Sequence, residues 1–94
     1  MKAGELYKKL TANPFHGEYK GIYTQISGSL VPLTAAKADD EGNLIFFYQR
    51  RKSPIIMRTL FAILLLHENK TLYYWNSSKI EIYGYRVEHG KIIV

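Results

Sequence analysis

Two stretches of this chain echo each other, and the echo limits what it can fold into. Residues 31–39 read Val-Pro-Leu-Thr-Ala-Ala-Lys-Ala-Asp, and residues 80–88 read Ile-Glu-Ile-Tyr-Gly-Tyr-Arg-Val-Glu. Set one under the other, they alternate in step, with Lys37 on Arg86 and Asp39 on Glu88. One extra residue, Asp40, then brings Gly42 onto Gly90 and Leu44-Ile45 onto Ile92-Ile93. The stretches ahead of them align as well: Glu5-Leu6-Tyr7-Lys8-Lys9-Leu10 lies under Thr59-Leu60-Phe61-Ala62-Ile63-Leu64. Leucines four apart are a helical pattern, and period-two alternation is a strand pattern.

The expected fold is therefore α+β, in two helix-plus-three-strand units (αβββ-αβββ), with an internal duplication as one reading of the echo. The helices are expected to pack on an antiparallel sheet or a pair of sheets. The first helix covers residues 3–11, with Leu6 and Leu10 inward and Glu5, Lys8 and Lys9 in water. Asn13-Pro14 closes it, because proline disfavours helical geometry in the residue before it. Strands follow at 19–27, 30–38 and 44–49. The turn Asp39-Asp40-Glu41-Gly42-Asn43 calls for glycine in the left-handed position. Ser53 as N-cap and Pro54 at the first helical position predict the second helix. It is apolar nearly all round, so its second side is expected to be covered by another protomer. Strands at 72–75, 79–88 and 91–94 close the chain, with a bulge expected at Gly84 and a tight turn at His89-Gly90.

A chain of 94 residues is one domain. The expected units are 1–49 and 53–94, joined by a basic linker at 50–52. The absence of cysteine excludes disulfide scaffolds, thiolate metal sites and thiol catalysis. It fits a cytoplasmic address. The stretch 54–66 is apolar but contains Arg58 and falls short of the roughly 20 residues a membrane helix needs, so no membrane role is expected.

Nothing in the sequence builds a catalytic site. There is no Gly-x-Ser-x-Gly, no phosphate-binding glycine loop and no His-Glu-x-x-His. The carboxylates Asp39, Asp40 and Glu41 read as turn chemistry. His16, His67 and His89 have no metal spacing. The expectation is a protein that is not an enzyme and uses no cofactor or metal.

Two features remain for binding. Arg50, Arg51 and Lys52, with Arg58 further on, form a dense positive patch beside Phe47 and Tyr48. Cations interleaved with aromatics suit phosphates and bases, and the formal charge of +5 permits an acidic partner. Tyr73, Tyr74 and Trp75 are consecutive on a strand, so at least one must face outward or into a partner. Tyrosine and tryptophan are favoured at interfaces because they bury area and keep a polar tip. The leading expectation is a non-catalytic binding or regulatory module acting through protein–protein contacts, as a homodimer or on a host protein. The alternatives are nucleic-acid binding through the basic linker and a small, nucleotide-like ligand held in an aromatic pocket between the units.

A short Leu-x-x-x-Leu helix, a strand, an acidic or tight turn with glycine and a closing apolar strand together resemble small uncharacterised proteins of phages and mobile elements. Leu6, Leu10, Val31-Pro32-Leu33 and Gly42-Asn43-Leu44-Ile45 carry the resemblance. Leu60, Leu64, residues 80–84 and Gly90-Lys91-Ile92-Ile93 carry it again. It implies a role in host interaction or regulation and no particular chemistry. Helix, three strands, helix is also the order of double-stranded RNA-binding domains. Those begin their last helix with a lysine-rich motif, where this chain has Pro54-Ile55-Ile56-Met57-Arg58.

Overall fold

A computed structural model describes residues 1–12 and 18–94. Asn13-Pro14, expected to end the first helix, and His16 lie outside the described residues. The elements are α1 (Ala3–Ala12), β1 (Ile22–Ile26), β2 (Ser29–Pro32), β3 (Ala35–Ala38), β4 (Asn43–Phe47), α2 (Met57–Leu66), β5 (Thr71–Trp75), β6 (Lys79–Glu81), β7 (Arg86–Glu88) and β8 (Lys91–Ile93). The class is α+β, in two helix-plus-strand units. Each unit contributes four strands rather than three, and the strands form two mixed sheets rather than an antiparallel meander.

The fourth strand arises from a change of sheet. The expected strand 30–38 divides at Leu33-Thr34. The Leu33 N–H donates to Ile22 O on β1 (2.9 Å), while the next N–H, from Thr34, donates to Phe47 O on β4 (2.8 Å). The expected strand 79–88 divides likewise: the Ile82 N–H donates to Leu72 O (2.9 Å), and pairing resumes with β8 at Arg86. Gly84 sits in this corner and is not a bulge within a strand. A strand that turns from one sheet into another lets two sheets share one core.

The sheet orders are β2-β1-β8-β7 and β3-β4-β5-β6. Each holds one hairpin from each unit, joined by a parallel pair, β1 with β8 and β4 with β5. At these two junctions Ile22 lies opposite Ile92, and Leu44 opposite Leu72. All four are buried. Leu6 and Leu10 of α1, Leu60 and Leu64 of α2, Leu33, Phe46 and Ile82 complete the same core. Tyr7 and Phe61 meet edge to face, with ring centroids 5.6 Å apart.

The lead-in to α2 corrects the expected capping. Ile56, not Ser53, is the N-cap, and no side chain caps the helix. Ile55 is buried, and its N–H donates to Leu33 O (3.1 Å), which holds the preceding residues extended. The segment ahead of α1 docks the same way, with the Met1 amino group donating to Ile82 O (2.9 Å). Pro54 packs close to Gly21, whose φ of 115° is open to glycine and strained for other residues. α2 buries Leu60 and Leu64 but leaves Leu65 and Leu66 exposed. No helix among the described residues is long and apolar enough to cross a membrane.

Candidate binding face

Pleating sends alternate residues of a strand to opposite faces, so the register of β3-β4-β5-β6 sorts its side chains. Leu44, Phe46, Leu72 and Tyr74 turn toward the core. The other parity places Lys37, Ile45, Phe47, Tyr73, Trp75, Lys79 and Glu81 on the outer face. Strand pairing sets Ile45 beside Tyr73, Tyr73 beside Glu81 and Trp75 beside Lys79. Of the three consecutive aromatics, Tyr73 and Trp75 therefore share the outer face. Tyr74 belongs to the core side, so it drops out of the expected binding set.

The outer face is organised by ring and charge contacts. The Phe47 and Trp75 rings pack at a tilt, with centroids 6.4 Å apart. The Lys79 ammonium lies 5.5 Å from the centroid of the Tyr73 ring, a cation–π contact. The same ammonium reaches Asp39 at 3.5 Å. Asp39 also accepts hydrogen bonds from the Asn43 side-chain amide (3.0 Å) and from the backbone N–H groups of Asn43 (2.9 Å) and Glu41 (2.8 Å). The Asn43 side-chain bond is the largest influence on its carboxyl. With the two backbone bonds and the Lys79 charge, it outweighs partial burial and lowers the pKa from 3.8 to about 2. A groove lined by Lys37, Ala38, Asp39, Asp40, Ile45 and Phe47 opens on this side.

The basic linker is a tight turn. The Lys52 N–H donates to Gln49 O (3.2 Å), and Arg51 adopts a φ of 63°. Because β4 and β5 run parallel, both end at one edge of the sheet, where Phe47 meets Trp75. The chain leaves β4 there through Tyr48 and Gln49, and Gln49 is fixed by the Thr34 hydroxyl (2.9 Å). Tyr48 is exposed, as are Arg50, Arg51 and Lys52. Among the described residues none of these three cations is in a salt bridge, whereas Asp39 is paired with Lys79 and Glu81 lies 3.9 Å from the Met1 amino group. Arg58 is exposed too, but it sits on α2 and not on this sheet.

The space between the two units is filled by the core side chains already named, and a groove lined by Tyr19, Gly21, Pro54, Ile55 and Met57 opens where the units meet. Sequence reasoning does not single out Ile45 or Lys79. The parity of Leu44-Ile45-Phe46-Phe47 is a signal for Ile45, but Lys79 becomes visible only through pairing with β5. Searches of protein-family models, of curated proteins and of solved structures returned no match to the chain.

Proposed function

We propose that the protein is a non-catalytic binding or regulatory module whose contact surface is the outer face of β3-β4-β5-β6. The observation that carries this is Trp75, which is 46% exposed beside Phe47 and Tyr73 at the sheet edge where the basic turn emerges. A large aromatic left half in water, at the end of the sheet from which a turn of arginines leaves, is the composition of an interaction surface. The resemblance to small phage and mobile-element proteins points the same way, toward host interaction and a cytoplasmic setting.

We also infer that the two units are copies of one ancestor. Exchanging units maps one sheet order onto the other. The docking of Ile55 on Leu33 matches that of Met1 on Ile82, and the matched pair Tyr7 and Phe61 pack on each other. What both units share then builds the fold, and what differs between them is available to function.

A photo-crosslinking side chain placed at position 75, and separately at Gln25 on the outer face of the other sheet, tests the surface in host cells. Adducts from 75 and not from 25 are the expected result. Equal adducts, or none from 75, overturn the assignment.

A second reading concerns α2. Leu66 is 78% exposed next to exposed Leu65, and a second copy of the chain packed there would make a homodimer. Light scattering that gives a monomer at high concentration removes this reading.

A further inference from the structure

We infer that the occupant of this face is single-stranded nucleic acid, its bases stacked on Trp75 and Phe47 and its phosphates held by the turn at Arg50, Arg51 and Lys52. The inference rests on the outer face being the contact surface, and it identifies the partner by charge and geometry. The acids of the face are already engaged, Asp39 by Asn43 and Lys79, and Glu81 close to the Met1 amino group. Asp40 and Glu41 lie in the β3–β4 turn, at the opposite end of β4 from the basic turn. The charge left without a partner at the Phe47–Trp75 edge is therefore positive.

Trp75 on β5 and Phe47 on β4 stand side by side, their ring centroids 6.4 Å apart. Aromatic platforms flanked by cations bind single strands with little sequence preference, because every base has a stacking face and every nucleotide a phosphate. A duplex hides its base faces, and this surface offers no helix to enter a groove. An acidic protein surface would meet the three cations but offers no row of flat faces to stack on the rings, and a small molecule is too short to reach both.

Trp75 is the only tryptophan in the chain, so its fluorescence reports occupancy directly. The experiment titrates the whole protein with an oligothymidylate of about 12 nucleotides, with the same sequence as a duplex, and with polyglutamate. The expected result is saturable quenching by the single strand alone. For three phosphate contacts its affinity should fall about a hundredfold over a tenfold rise in salt, a slope of about −0.7 per contact. Arg50→Ala with Arg51→Ala should flatten that slope by about 1.4. Trp75→Ala, followed by filter binding, should weaken the complex roughly ten- to a hundredfold. Circular dichroism on each variant separates lost binding from lost folding.

No quenching at low salt overturns the inference. Equal quenching by polyglutamate or by the duplex also overturns it. If the crosslinker at 75 captures a protein while oligonucleotides fail to bind, the partner is wrong and the contact surface stands. If the crosslinker captures nothing, both fall.

Discussion

The outer faces of the two sheets begin alike and then diverge. At each parallel junction a tyrosine stands beside a buried isoleucine: Tyr23 beside Ile93 in β2-β1-β8-β7, and Tyr73 beside Ile45 in β3-β4-β5-β6. Each tyrosine ring carries a lysine ammonium, Lys91 at 5.2 Å in the first and Lys79 at 5.5 Å in the second. The lysines come from different strands, so the same contact is reached by two routes. Beyond this shared centre, Gln25 on β1 stands where β5 has Trp75. The first sheet finishes its face with the Arg86–Glu88 ion pair beside Ile93. The second finishes with an aromatic pair and a turn of unpaired cations. The tyrosine–isoleucine–lysine centre covers a sheet junction, and the Phe47–Trp75 edge is an addition to it.

The two sheets should respond most strongly at the junctions themselves. Leu72→Ala and Ile22→Ala remove matched core side chains and should each cost about 2–5 kcal/mol, through lost burial and the cavity left behind. Urea denaturation measures both. Costs that differ by more than about 3 kcal/mol, beyond the spread expected from local collapse, would show that the junctions are not equivalent supports.

The turns should differ by less. Gly42 and Gly90 close matched hairpins with φ of 81° and 80°. A Cβ at Gly42 meets open space, but at Gly90 it lies 3.1 Å from Glu18 O. Gly42→Ala should cost about 1 kcal/mol for the left-handed backbone alone. Gly90→Ala should cost more, because a backbone oxygen must also move. Thermal unfolding of the two variants gives the order.

A smaller effect separates the halves in acid. The pKa of Asp39 is lowered to about 2 by its bonds to Asn43 and Glu41 and by Lys79. A lowered carboxyl pKa stabilises the fold above the unfolded value of 3.8, and this contribution is lost as the pH falls from 3.8 toward about 2. Asp39→Asn should therefore lower the unfolding midpoint at neutral pH and flatten its fall across that window. An unchanged acid limb would mean that the network is already broken in solution.

The helices, the turns and the Leu6, Leu10, Leu60 and Leu64 positions were legible because each rests on residues close in sequence. Leucine spacing fixes a helix face, and Gly42 and Gly90 fix a turn. The exchange of hairpins between units was not legible. Ile22 against Ile92 and Leu44 against Leu72 are long-range parallel pairs, and alternation shows only which face a residue takes, not which strand lies beside it. The sheet change at Leu33-Thr34 was hidden for the same reason, since a strand read from alternation alone runs straight through it. In the candidate site, the split of Tyr74 from Tyr73 and Trp75 follows from parity, and the cation patch from composition. That the patch leaves β4 at the same end of the sheet as the rings depends on β4 running parallel to β5.

The smallest stability effect carries the most information about function. Trp75→Gln makes the second face resemble the first, and Gln25→Trp makes the first resemble the second. Trp75 is half exposed and its main ring contact is Phe47, so its replacement should change stability by no more than about 1 kcal/mol. Gln25 is exposed, and a tryptophan there should be tolerated to within about 0.5 kcal/mol. If the edge acts as a unit, Trp75→Gln loses oligonucleotide binding and Gln25→Trp gains none, because position 25 lies in the other sheet, apart from Phe47 and the basic turn. A Gln25→Trp variant that binds as well as the parent protein would mean that any exposed tryptophan on this basic chain suffices. The difference between the two faces would then be one residue and not an assembled site.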